Sequence, residues 1–224
     1  MNGLAIDTAT TKITISAKND EHTVSAVFNI GMKQSETLLP AIDYVLSKAN
    51  LTPKELNYLS ITKGPGSFTG LRLGFSAIKA LQMVTEVKLY GLSTLDVFAE
   101  NYLNLPFTIL SCIDAKKERF YAKAFYEKKE IIPEGDYTVQ EIADLLESNA
   151  QNKNILICGS DSYTLFNELK PLTKKKLLPM DFTINAGEIL LQMTEKMINN
   201  NTEPLKDYDG PVYLRASEAE VKLK

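Results

Sequence analysis

Hydrophobic and polar positions alternate with a period of two over the start of the chain. Leu4 to Thr8 is a short apolar stretch. In Lys12-Ile13-Thr14-Ile15-Ser16-Ala17-Lys18 the residues Ile13, Ile15 and Ala17 share one face, and Val24, Ala26, Phe28 and Ile30 repeat the pattern. A period of two marks strands with one buried face, so these runs predict an antiparallel meander, with Ala9-Thr10-Thr11 short enough for its first hairpin. The period then lengthens: Leu38, Ile42, Val45 and Ala49 fall on one helical stripe. Ser35 is a plausible N-cap for that helix, which would leave Pro40 inside it without a hydrogen bond; a start near Leu39 would put Pro40 in the first turn. Both starts stay open. A strand at Tyr58 to Thr62, a helix at Phe68 to Thr85, a strand at Val87 to Gly91 and a helix at Thr94 to Tyr102 complete the order βββαβαβα.

The second half predicts the same order. Strands are expected at Thr108 to Asp114, Arg119 to Tyr126 and, with weaker patterning, between Glu130 and Tyr137. A helix follows at Thr138 to Glu147, with Val139, Ile142, Leu145 and Leu146 on its apolar side. Then come a strand at Ile155 to Cys158, a helix at Ser162 to Leu169, a short strand at Lys175 to Pro179 and a helix at Ala186 to Asn199. Thr202 to Pro211 reads as loop and Val212 to Arg215 as a short ordered segment. Two successive units of one order predict an α/β protein made of a duplicated lobe, each lobe a mixed sheet flanked by helices. The lobes are expected at 1–104 and 105–224, with the last residues able to pack back on the first.

Composition narrows the chemistry. The 224 residues carry 25 Lys and Arg against 28 Asp and Glu, a net charge of −3, with 44% hydrophobic residues, as in ordinary globular proteins. Mild acidity argues against a large basic nucleic-acid surface, and Lys174-Lys175-Lys176 reads as a solvated face. No apolar run is long enough to span a membrane and the first residues do not resemble a secretory signal, so a cytoplasmic protein is expected. The one histidine, His22, lies in a polar stretch between two predicted strands. No histidine-paired metal site can form within the chain, and no metal is expected. Cys112 and Cys158 each sit in an apolar run and read as buried thiols.

Two constellations could carry chemistry. In Ala5-Ile6-Asp7-Thr8-Ala9-Thr10-Thr11-Lys12 a carboxylate ends the first strand and hydroxyls line the turn. Such a turn can hold phosphate oxygens and a hydrated Mg²⁺, or simply cap a hairpin. Asp114 ends the first strand of the second unit in the same way. If the lobes are related by a pseudo-twofold axis, Asp7 and Asp114 face one cleft. The second constellation is Lys63-Gly64-Pro65-Gly66-Ser67-Phe68-Thr69-Gly70-Leu71-Arg72-Leu73-Gly74, in which a turn leads into a helix capped by Ser67. It lacks the Gly-Lys-Ser/Thr ending of a P-loop, so Gly64, Pro65, Gly66 and Ser67 read as a structural loop. The helix beyond carries a small-residue ridge, Gly70, Gly74, Ala77 and Ala80, beside Leu71, Phe75 and Ile78. Packing within the lobe and a helix-mediated protein interface both remain open.

Paired Asp-bearing turns resemble the actin/hexokinase/Hsp70 superfamily, whose ribonuclease-H-like lobes clasp nucleotide phosphates. The resemblance makes Asp7, Thr8, Thr10, Asp114 and Gly159 candidate nucleotide-cleft residues. The chain departs from that pattern: Ala9 stands where a phosphate-turn glycine is usual, and Ala115-Lys116-Lys117 is not glycine-rich. The Ala-Ile-Asp-Thr-Ala-Thr start, the Lys-Gly-Pro-Gly-Ser-Phe-Thr-Gly-Leu-Arg loop, Ile113-Asp114-Ala115 and Pro211-Val212-Tyr213-Leu214-Arg215 together resemble the bacterial TsaB (YeaZ) family over nearly the whole chain. That resemblance implies two actin-like lobes and a non-catalytic subunit. Its partners would be the catalytic paralogue TsaD and the ATPase TsaE, which together transfer threonylcarbamoyl to the adenosine next to the anticodon of tRNAs reading ANN codons. It implies a homodimer when TsaD is absent and no required cofactor, with weak ATP or ADP binding and any role of Mg²⁺ left open. It places the partner interface at Ser35, Gly70, Leu71, Gly74, Phe75 and Ile78. Gln34 stands where many members have a histidine. A superfamily kinase is the alternative reading, and a glycoprotease-like peptidase, after the older family label, a weaker one.

Overall fold

The computed structural model describes residues 1–31, 33–180 and 185–215. Strands β1 (Gly3–Asp7), β2 (Lys12–Lys18) and β3 (Thr23–Asn29) form the antiparallel meander; helix α1 (Gln34–Lys48), strand β4 (Tyr58–Gly64), helix α2 (Phe68–Thr85), strand β5 (Lys88–Ser93) and helix α3 (Thr94–Ala99) follow. The second series is β6 (Thr108–Lys116), β7 (Arg119–Tyr126), β8 (Lys129–Thr138), α4 (Val139–Asn149), β9 (Asn154–Cys158), α5 (Ser162–Leu169), β10 (Lys176–Pro179) and α6 (Ala186–Asn199). The first sheet has the order β3-β2-β1-β4-β5 and the second β8-β7-β6-β9-β10, so the duplicated order reappears as duplicated topology. In each sheet the meander is antiparallel and the two later strands run parallel to the first. These are two mixed sheets flanked by helices, tandem ribonuclease-H-like lobes.

Burial follows position in the sheet. Central β1 is buried at every residue, whereas edge strand β3 alternates between exposed and half-buried positions. The helix ends follow local chemistry. Ser67 Oγ accepts the Gly70 N–H at 3.2 Å and starts α2; Thr138 and Glu141 close a capping box on α4. The first helix differs from expectation. It starts at Gln34 with no side-chain cap, so Ser35 is not the N-cap. Pro40 lies inside the helix on its exposed side. There the carbonyl it leaves without an N–H partner faces water, which lowers the cost of the interruption.

The chain forms two compact units, Met1–Val97 with Asn185–Val212, and Phe98–Ile184 with Tyr213–Lys224. The sequence reading divides the chain once, after residue 104. The units divide it differently because α6, the last helix of the second series, packs on the first sheet against β1, β2 and β4. Ile189, Leu190 and Leu191 are buried there. The contact also has a polar seam. Ser60 Oγ and Thr194 Oγ1 lie 2.6 Å apart, both buried, and Ser16 Oγ donates to Asn185 Oδ1 at 3.2 Å. Glu195 accepts Lys18 Nζ at 2.8 Å and the Tyr58 hydroxyl at 3.2 Å. Burial, with the neighbouring Glu195 carboxylate, raises the pKa of Tyr58, so the phenol stays protonated and donates.

The Ser60–Thr194 pair makes a clear test, because a buried hydroxyl stripped of its partner keeps its desolvation cost. Thr194→Val alone is expected to lower unfolding free energy by about 1–3 kcal/mol. Adding Ser60→Ala to Thr194→Val should recover much of that loss. Urea titration of the two single variants and the double variant checks this; strictly additive losses would show that the hydroxyls are not coupled.

Candidate functional site

The turn after β1 is closed by its own chain. Asp7 is buried, and its Oδ1 accepts the Ala9 N–H at 3.0 Å and the Thr62 hydroxyl at 2.7 Å. Burial raises its pKa against the opposing effect of these two bonds. The Ala9 carbonyl accepts the Ser67 N–H at 2.7 Å, and the Thr10 carbonyl accepts Gln34 Nε2 at 2.8 Å. Thr10 Oγ1 accepts the Lys12 N–H at 3.3 Å. Thr8 is fully buried, and its hydroxyl has no partner among the described residues.

The small-residue ridge explains this closure. A Cβ at Gly70 would overlap the Thr8 carbonyl, and one at Gly74 would overlap Thr8 Oγ1. Helix α2 therefore runs over the turn at backbone distance, and the loop before it, Gly64-Pro65-Gly66-Ser67, delivers the Ser67 N–H to Ala9. The Lys63 carbonyl in turn accepts the Val212 N–H at 2.7 Å, so the late Pro-Val-Tyr-Leu-Arg motif and the Gly-Pro-Gly loop meet. A phosphate cradle needs backbone N–H groups pointing outward. Those of Ala9 and Lys12 are already used by Asp7 and Thr10.

The second turn is built differently. Asp114 is three-quarters buried; its Oδ1 accepts the Lys116 N–H and its Oδ2 the Lys116 ammonium, both at 2.6 Å. The carboxylate raises the pKa of that lysine. Lys116, Lys117 and Glu118 all take left-handed φ values. The Asp114 N–H is held by Asp161 Oδ2 at 3.0 Å, which also accepts the Ser160 hydroxyl. Gly159 has a φ of +112°, and a Cβ there would overlap the Cys112 carbonyl, so glycine is required on both counts. Arg215 donates to the Ala115 carbonyl at 3.0 Å and joins Arg119 on Asp136.

Asp7, Thr8 and Thr10 thus come together in the first unit, and Asp114 and Gly159 in the second. Asp136 and Asp161 were not singled out from the sequence. The signals for them are the two arginines Arg119 and Arg215 in the one case, and proximity to Gly159 in the other. The residues expected at a partner interface are placed otherwise. Ser35 is exposed, but Gly70 and Gly74 face the turn, and Leu71, Phe75 and Ile78 are buried inside the first unit. Solvent meets α2 at Arg72, Ser76, Met83 and Val84 instead. His22 is exposed beside the β2–β3 turn. Cys112 and Cys158 are buried, and burial pushes the Cys158 thiol up to about 12. Among the described residues no group of three or more His, Cys, Asp or Glu side chains is placed to hold a metal ion.

Comparison with known proteins places the chain. The family model described as TsaD, tRNA N6-adenosine threonylcarbamoyltransferase, matches residues 31–208. The tRNA threonylcarbamoyladenosine biosynthesis protein TsaB of Bacillus subtilis is 24% identical, with 99% of this chain and 97% of that protein covered. YeaZ from Pseudomonas aeruginosa superposes with a TM-score of 0.78 at 17% identity, covering 95% of this chain and 99% of that one. A ROK hexokinase from Thermus thermophilus shares the fold more distantly, with a TM-score of 0.50 at 12% identity, covering 88% and 100%. With the family model matching residues 31–208 and the relatives covered nearly end to end, the chain belongs to the TsaD family and, within it, to the TsaB (YeaZ) group.

Proposed function

We propose that this chain is a non-catalytic subunit of a complex that transfers threonylcarbamoyl to the adenosine next to the anticodon of tRNAs reading ANN codons. Its partners in this reading are the catalytic paralogue TsaD and the ATPase TsaE. The observation that carries the reading is the state of the β1–β2 turn. Its carbonyls and carboxylate are engaged within the chain: the Ala9 carbonyl by Ser67, the Thr10 carbonyl by Gln34, and Asp7 Oδ1 by Thr62 and the Ala9 N–H. The Gln34 side-chain amide donates to the Thr10 carbonyl at 2.8 Å. The turn works as a brace for the first unit. The Bacillus subtilis relative, a tRNA threonylcarbamoyladenosine biosynthesis protein, suggests the pathway.

In this reading the subunit acts through its surface. The two helices expected to carry the interface do so with their outward residues: Leu39 and Tyr44 on α1, and Met83 and Val84 on α2, are 62%, 52%, 83% and 70% exposed. Exposed apolar side chains on neighbouring helices suit a protein partner, whether TsaD or, without it, a second copy of the chain.

Four outcomes are expected. In a reconstituted transfer assay with TsaD, TsaE, donor and tRNA, omitting this chain should abolish or greatly reduce modified adenosine; a rate independent of it would reject the proposal. Met83→Asp with Val84→Asp should weaken binding to TsaD at least tenfold by calorimetry while leaving the melting temperature within a few degrees, since both side chains point to solvent. Asp7→Asn should preserve transfer, because the amide oxygen can still accept from Ala9 and Thr62. The same change should alter pH dependence. A buried carboxyl whose folded pKa lies above the unfolded value near 3.8 binds its proton more tightly when folded. Its contribution to stability is therefore greatest at low pH and falls as pH rises through the folded pKa. Removing the charge should make the variant more stable than the parent near pH 7, with the gap closing toward pH 4. A variant less stable at pH 7 would show that the ionised carboxylate is required.

A further inference from the structure

The second unit concentrates positive charge at one end of its sheet. Lys153, Lys170, Lys174, Lys175 and Lys176 lie within 24 residues of an otherwise acidic chain. The fold brings the backbones of Lys153 and Lys176 together. The Lys176 N–H donates to the Lys153 carbonyl at 2.8 Å, where β9 and β10 begin side by side. Lys170 sits in the 3₁₀ turn Lys170–Leu172 that ends α5, and Lys174 lies between that turn and β10. Lys175 points inward and caps the Ala150 carbonyl at 2.9 Å. The other four are exposed and form no ion pair with any described carboxylate. The nearby acids are fewer: Glu168 on α5, and Glu147, which accepts the Thr173 hydroxyl at 2.6 Å.

Grouped like charges repel one another, and the repulsion is relieved by a polyanion. Protection of an exposed sheet edge is the simplest structural role for lysines, and β10 is an edge strand. That role accounts for Lys176. It does not account for Lys153, which precedes an inner strand, or for Lys170, which follows a helix. An aromatic face accompanies the charges: Tyr163, 54% exposed, lies on the same side of α5 as Phe166 and Lys170, and the Lys170 ammonium sits 5.6 Å from the Phe166 ring centroid. Ammonium groups with an exposed aromatic ring suit RNA, which offers both phosphates and unstacked bases, better than a membrane surface.

We propose that this face of the second unit, centred on Lys153, Lys170, Lys174 and Lys176, contacts the phosphate backbone of the tRNA substrate. The inference rests on the function proposed above and adds where the RNA touches this subunit.

The test uses the full chain in the reconstituted complex. Lys170→Glu/Lys174→Glu/Lys176→Glu is compared with the charge-matched control Lys54→Glu/Lys88→Glu/Lys206→Glu, whose sites are exposed on the first unit. tRNA affinity is measured by fluorescence anisotropy over a range of salt. The first variant should lose at least tenfold in affinity at low salt. Its slope of log K against log salt should be shallower by about 2, as expected for three lost phosphate contacts. The neutral variant Lys170→Gln/Lys174→Gln/Lys176→Gln should show the same change in smaller degree, which separates lost contacts from a folding defect. Equal affinity in the test and control variants would overturn the inference, as would loss of binding to anionic phosphatidylserine vesicles with tRNA affinity unchanged. Self-association of the Glu variant by ultracentrifugation, with the Gln variant binding tRNA normally, would also overturn it and leave edge protection as the role. A wild-type chain that fails to support transfer at all would instead defeat the functional reading on which the inference stands.

Discussion

Much of the first unit depends on one close approach. Helix α2 lies over the β1–β2 turn at a distance that only glycine permits at positions 70 and 74. That contact buries Thr8 and Ala9 completely, presents the Ser67 N–H to the Ala9 carbonyl, and fixes the direction in which α2 leaves β4. The Asp7 carboxyl is buried as a consequence, which is why Thr62 and the Ala9 N–H must serve it. Asp7, Thr8 and Ala9 are thereby part of the core of their own lobe. The same contact shows why a bulky residue at Gly74 would act on folding before it acted on any partner.

The second constraint is the closure of the first sheet by a helix from the far end of the chain. A sheet with α1 and α2 on one face leaves the other face to be covered, and β1 is buried on both sides because α6 covers it. The contact is not purely apolar. Ser16, Ser60 and Thr194 sit between the sheet and the helix, and each hydroxyl has a partner at hydrogen-bonding distance. Directional bonds of this kind fix where α6 sits along the strands, which leucines alone would leave loosely defined. The stabilisation from buried Leu190 and Leu191 and the register from the hydroxyls are separate contributions to one docking event.

The periodic parts of the fold were legible in the sequence. Ile13, Ile15 and Ala17 alternate because β2 has one face on the core, and the repeated order of strands and helices became two sheets of identical topology. What escaped was set by contacts distant in sequence. Nothing near Ser35 shows that α1 would begin one residue earlier without a cap. The assignment of α6 to the first unit rests on Ser60 and Ser16, more than a hundred residues away. The ridge of Gly70 and Gly74 was visible as a pattern, but a pattern of small residues does not say what comes close. The answer was the chain's own turn, so Leu71, Phe75 and Ile78 became core. Asp136 escaped for a similar reason: an acid in a weakly patterned strand has no local signature, and its importance comes from two arginines that converge on it.

The duplicated lobes also show how one topology tolerates opposite chemistry at equivalent points. After β1 the carboxyl is buried, its pKa is raised and hydroxyl and amide groups satisfy it. After β6 the equivalent Asp114 is partly exposed and carries its own counter-ion two residues on, while a second acid, Asp161, holds its backbone N–H. The first arrangement needs a close helix and therefore glycines; the second needs only a tight turn, and its left-handed residues are lysines and a glutamate. Burial of Asp7 removes a charge from solvent, whereas Lys116 neutralises Asp114 locally. What the lobes kept in common is the backbone path, which periodic burial alone is enough to specify.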